Sequence, residues 1–233
     1  MRHTRFIMVA LVAAITLSLA ASQASALRSI ETGGVTRRVT ASGRLRFGNE
    51  NLEASMEILC NVTLLRTIAG AIQKRSGAIF GGLTGVAIDD GLNHCGHGSA
   101  ITNVLAVVAL KNDGTRECTE LGSGVHLCVV NWNLLYNSIL GTLPEITGVN
   151  FTVERVKFLI RFNDALGFND GCLYEGNVPA FARVSAGSIR TGEIILERRM
   201  LTLIRRLEGF ACPNPATLSG TFALEPAINI RLT

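Results

Sequence analysis

The chain has 233 residues, six of them cysteine, a formal net charge of +4 and only 17% charged side chains. Its densest basic spots are the isolated pairs Arg37-Arg38, Arg198-Arg199 and Arg205-Arg206. They lack the clustered stripe that neutralises a phosphate backbone, so nucleic acid is excluded as a partner.

Arg2 and Arg5, the uncharged apolar run Phe6 to Ala20 and the small-x-small triplet Ala24-Ser25-Ala26 make residues 1–26 a cleavable export signal. Cleavage after Ala26 leaves a chain that starts at Leu27, and loss of the two arginines lowers the net charge to +2. The apolar run is shorter than the ~20 residues that span a bilayer, and no later stretch reaches that length without charges. No transmembrane segment is therefore expected after cleavage. Residues 27–233 carry no linker, low-complexity tract or repeat, and are expected to form a single β-rich extracellular domain.

From Leu52 to Leu64, apolar side chains alternate with polar ones, the period of a strand with one wet face. Glu53 and Glu57 share the polar face and are read as solvated rather than as a hydrolase carboxylate pair. Leu64 to Lys74 fits one short helix. The glycine-rich "FGGLTGV" (80 to 86) lacks a phosphate-loop lysine and reads as a close-packed strand. Ala100 to Leu110 is apolar enough for a strand buried on both faces. Cys128 to Tyr136 and Val156 to Phe162 alternate again. Leu196, Met200, Leu203 and Leu207 recur at helical spacing before Gly209, so residues 193–208 fit a helix or a strand. Turn signals stand at Asp89-Asp90-Gly91, Asn112-Asp113-Gly114, Gly122-Ser123-Gly124 and Asn169-Asp170-Gly171. The aspartates among them are read as turn formers, since no complete calcium loop is present. Short patterned runs between turns point to an all-β sandwich or barrel, and the expected fold is an antiparallel β-sandwich of jelly-roll-like or related type.

Six cysteines in an exported chain favour three disulfides. Cys118 and Cys128 flank Gly122-Ser123-Gly124 symmetrically, so a hairpin there pairs them. Cys60 with Cys95 and Cys172 with Cys212 are the pairings assigned to the rest. "NHCGHG" (93 to 98) has a second reading, in which His94 and His97, with His126 as a further ligand, hold zinc or copper. A disulfide at Cys95 removes the softest ligand, and neither a CxxC pair nor HExxH is present, so no cofactor is expected. The chain also lacks the G-x-S-x-G turn of serine hydrolases. Asn131, Asn133 and Asn137 share one face of a strand and form a candidate surface for a glycan. Trp132 and Tyr136 point to the opposite face.

The run "NWNLLYNSILGTLPEITGV" (131 to 149), "CLYEG" (172 to 176) and "CPNPATLSGTFAL" (212 to 224) resemble recurrent features of secreted all-β proteins of soil bacteria that carry no assigned activity. The resemblance implies an extracellular, disulfide-stapled β-sandwich with strands around residues 193–206, and it carries over no active-site residue. The expected function is a secreted, non-catalytic β domain with a binding or structural role toward a glycan or cell-envelope component. The alternative is a secreted metal-dependent enzyme using His94, His97 and His126.

Overall fold

A computed structural model of the chain describes residues 29–31, 37–49, 56–68, 71–73, 75–90, 94–142, 145–184, 190–209, 211–229 and 231–232. The expected leader and its cleavage point lie outside the described residues. The strands in chain order are β1 (Ser29–Glu31), β2 (Arg37–Asn49), β3 (Ile58–Ile68), β4 (Ala71–Gln73), β5 (Ile79–Asp89), β6 (Gly96–His97), β7 (Ile101–Leu110), β8 (Cys118–Gly122), β9 (Val125–Thr142), β10 (Glu145–Asp164), β11 (Asn169–Val184), β12 (Arg190–Glu208), β13 (Ala216–Asn229) and β14 (Arg231–Leu232).

Eight of them close into a ring. Its order is β9, β10, β11, β12, β13, β2, β3, β5 and back to β9, antiparallel at every step. The expected sandwich is therefore corrected to an eight-stranded antiparallel β-barrel. Period-two alternation is common to both architectures, because each has one apolar face. What separates them is whether the last strand finds the first, and here β13 pairs with β2 from Ala216↔Asn49 to Glu225↔Thr40. Short strands β1, β4 and β14 form a separate three-stranded sheet.

The described residues contain no helix. In place of the short helix expected over Leu64–Lys74, β3 continues to Ile68 and β4 follows. Leu64, Arg66 and Ile68 are buried while Leu65 and Thr67 are half-buried, the period of two. Residues 193–208 lie in β12. Register shifts on both flanks of this strand, including one between Leu196 and Arg199, break its alternation and leave a spacing that imitates a helix. The turn expected at Asn169-Asp170-Gly171 begins five residues earlier, at Asp164. Asp164 Oδ1 accepts the N–H groups of Leu166 and Phe168 at 2.9 Å each, and Asn169 already pairs with Asn163 as β11 begins.

Between β5 and β9 the chain makes an excursion through β6, β7 and β8. Strand β6 pairs with β3, β7 with the C-terminal half of β10, and β8 with the N-terminal end of β9. Opposite its edge with β11, strand β10 serves two partners because it kinks. Up to Val153 it pairs with β9 and from Lys157 with β7, and Arg155, between these stretches, adopts a φ of 54° with its N–H held by Asn177 Oδ1 at 2.9 Å. Of the run from Ala100 to Leu110 expected to be buried on both faces, only Val107 to Leu110 are, whereas Thr102 and Leu105 are exposed.

The six cysteines form Cys60–Cys95, Cys118–Cys128 and Cys172–Cys212, the three pairs assigned from the sequence. The first two tie the excursion to the barrel wall. The third ties β11 to the segment joining β12 and β13 across a sequence separation of 40. Replacing Cys172 and Cys212 together with serine is expected to lower unfolding stability by about 3–4 kcal/mol, the chain entropy of a loop that long, read by urea denaturation.

Inside the ring the walls interlock by aromatic contacts. The Phe158 ring meets Phe47 from across the barrel at 4.9 Å and Trp132 at 5.3 Å, both edge to face. Gly43 of β2 makes the closest approach at the seam. A Cβ there would stand 1.9 Å from the Thr221 carbonyl oxygen of β13.

Candidate functional site

The inner face of β3 runs Cys60, Val62, Leu64, Arg66, Ile68. Four of these five are apolar, and the exception is an arginine with 3% of its surface exposed. Its backbone is fixed by an irregularity on β5. Leu65 pairs with Gly85 and Arg66 with Leu83, so Thr84 is an extra residue in β5 and its hydroxyl bonds outward to Leu65 O at 3.4 Å. Gly81, on the same strand, lets β5 approach β3 closely, since a Cβ there would stand 2.2 Å from Thr67 O.

Arg66 is part of the wall of a cavity of about 30 Å³ in the barrel lumen, lined also by Leu64, Leu83, Trp132, Phe158 and Leu196 among other apolar residues. That volume is room for roughly two water molecules. Trp132 spends its indole N–H on Leu110 O at 2.9 Å, so it offers the cavity only its apolar ring. Among the described residues, Nε and Nη2 of Arg66 have no hydrogen-bond partner. Burial pushes the guanidinium pKa down to about 9, and no facing carboxylate offsets that push. The group is still charged at neutral pH. A buried charge of this kind is among the most unfavourable arrangements in a folded protein unless something pairs with it. The lumen therefore offers one cationic fork inside an apolar wall, which is a recognition element rather than a set of acid, base and nucleophile.

The three histidines lie elsewhere and are separately engaged. His94, in the turn before β6, gives Nδ1 to Asp89 Oδ1 at 2.5 Å, and His97 gives Nδ1 to Gly98 O at 3.2 Å. His126 of β9 gives Nδ1 to Asp90 Oδ1 at 2.7 Å. Asp90 is buried, and its second oxygen accepts the Val107 N–H at 2.9 Å, so this carboxylate anchors β7 to the end of β5. Among the described residues no three His, Cys, Asp or Glu side chains are grouped to hold a metal ion.

The asparagine row is also engaged. Asn131 Oδ1 accepts the Asn112 N–H at 2.7 Å, and the Asn131 carbonyl accepts the Asn112 amide at 2.9 Å, which fastens the turn after β7 to β9. Asn133 Nδ2 donates to Glu154 at 3.3 Å and Asn137 Nδ2 to Thr152 at 2.8 Å. These amides work as cross-strand ties, and Trp132 and Tyr136 are buried on the other face, leaving no aromatic platform beside them. Glu57 pairs with the exposed Arg46 at 2.8 Å, and Glu53 lies outside the described residues.

Three buried charges are missed when the sequence is read alone: Asp90, described above, Asp170 and Arg66. Asp170, assigned to a turn, points inward with 1% exposure and accepts the Ala211 N–H at 2.8 Å, holding the segment that carries Cys212. Arg66 was hidden because the strand pattern was ended at Leu64. Two more steps of the same alternation place an arginine on the core face, and that misplaced charge is the signal.

Fold and lumen together define a closed, disulfide-stapled β-barrel in which, among the described residues, one buried cation, Arg66, is unpaired. No family model, curated protein or solved structure matches the chain.

Proposed function

We propose that this is an exported, non-catalytic binding barrel whose ligand site is the lumen. One observation carries the reading: Arg66 belongs to the wall of an apolar lumen cavity, and its buried Nε and Nη2 have no partner among the described residues. Eight strands give a barrel just wide enough to be filled by side chains or to hold one small ligand. A protein selected for stability alone has no use for an unpaired guanidinium there.

Export is supported by the leader-like first 26 residues and by three disulfides, which persist in oxidising surroundings. The wall polarity favours an aqueous setting. β2 exposes Arg38, Thr40, Ser42, Arg44 and Arg46 outward, where a membrane barrel presents an apolar band, and the lumen is apolar where a membrane barrel is polar.

Two measurements test the reading. Protein collected outside the cell is expected to start at Leu27 with all six cysteines oxidised, and retained leader or free thiols in its intact mass would overturn export. Dissolved xenon, a neutral guest that enters apolar cavities, is expected to quench the buried Trp132 emission saturably. An unresponsive emission would mean that the lumen is closed core and not a ligand site.

A further inference from the structure

We infer that the lumen ligand is a single small monovalent anion, held side-on by the Nε–H and Nη2–H of Arg66. The inference rests on the lumen reading above and names the ligand's chemistry.

Four observations converge on that class. First, Nε and Nη2 lie on the same edge of the guanidinium, and their N–H bonds run parallel. This is the fork that receives a carboxylate, a nitrate or a halide, and it is the pair left without partners. Secondly, the positive charge has no counter-charge. Water satisfies the two donors but leaves the charge buried, whereas one anion does both. Thirdly, the charge is single. Among the described residues Arg66 is the only charged one lining the cavity, so a divalent ion such as sulfate or phosphate would exchange one unpaired charge for another. Fourthly, the space of about 30 Å³ admits a guest of a few heavy atoms, and the remaining wall has no polar group to receive a larger polar head. Because the apolar wall cannot replace a hydration shell, binding strength should follow ease of dehydration, with iodide, thiocyanate and nitrate ahead of chloride, and fluoride last.

Trp132 lines the same cavity and is the protein's one tryptophan, so it reports occupancy directly. The experiment uses the full oxidised chain at constant ionic strength, replacing sodium fluoride stepwise with sodium iodide while Trp132 emission is read, for wild type, Arg66→Leu and Arg66→Lys. Xenon, with the same electron count as iodide but no charge, is run in parallel. The expected result is a saturable loss of emission with iodide in wild type, a weaker one in Arg66→Lys, where the charge remains without the fork, and none in Arg66→Leu. Xenon is expected to quench all three. If xenon quenches wild type but iodide acts only linearly and equally in wild type and Arg66→Leu, the anion assignment is overturned and the lumen reading stands. If neither quenches wild type, both are overturned. Saturable iodide quenching that survives Arg66→Leu would place the anion elsewhere and also overturn the assignment.

Discussion

Replacing Gly43 with alanine is expected to lower stability by more than about 3 kcal/mol, the upper end of overpacking penalties. The added methyl would stand 1.9 Å from the Thr221 oxygen and 2.9 Å from the Phe222 Cα. Both are backbone atoms of the paired strand, so no change of rotamer relieves the clash. The two strands must separate where β2 meets β13, the contact that turns a curved sheet into a closed one. Gly48, five residues on in β2, supplies the control. A Cβ there meets only the Thr217 hydroxyl at 3.4 Å, an ordinary contact. Gly48→Ala is expected to stay within about 1 kcal/mol of wild type, so urea unfolding of both variants, followed by Trp132 emission, separates a clash at the seam from a general intolerance of side chains in β2. Equal stability of the two would remove Gly43 from any role in closure.

The second large effect has the opposite sign. In fluoride buffer, Arg66→Leu is expected to stabilise the protein by about 1–4 kcal/mol, the usual gain when a buried ionic group is replaced by an apolar one of similar volume. Arg66 is a base held at about 9, well below its ordinary value, so the unfolded chain binds its proton more tightly than the folded one. The penalty is in full force below about pH 9 and is relieved as the pH rises above 9, since only the folded form then sheds the proton. Wild-type stability should therefore gain on Arg66→Leu as the pH climbs above 9. Comparing the two proteins cancels the titrations they share. An Arg66→Leu protein less stable than wild type in fluoride would mean that the guanidinium already has a partner in the fold.

The local grammar of the fold is readable from the chain. The inward faces from Met56 to Leu64, Val130 to Tyr136 and Val156 to Phe162 lie where alternation puts them, and Gly122-Ser123-Gly124 makes the hairpin that sets Cys118 opposite Cys128. The global arrangement is not readable in the same way. Sandwich and barrel need the same alternation, and the choice is made by β5 meeting β9 and by β2 meeting β13, pairings with no local signature. The glycines that permit the second of these, Gly43 and Gly220, look in the sequence like any other small residue in a strand. The site was lost for a different reason. Leu64, Leu65 and Ile68 satisfy helical spacing as well as strand spacing, and a helix places Arg66 in solvent. Only the pairing of β3 with both β2 and β5 turns it inward. The histidines, conspicuous in sequence, are each satisfied by a neighbouring carboxylate or carbonyl, and the asparagines by neighbouring strands.

The β2–β13 seam also fixes an order of events. Thr40 bonds across it to the Glu225 carbonyl, 185 residues later in the chain. The meander from β9 to β13 can assemble from near neighbours, but the circle has no last segment until β13 exists, and contacts that distant form late because their loop entropy must be met first. A chain threaded outward N-terminus first would cross as an open ribbon and become a container only when its final strands arrive, so Arg66 would first be enclosed on the far side, with whatever anion that compartment supplies.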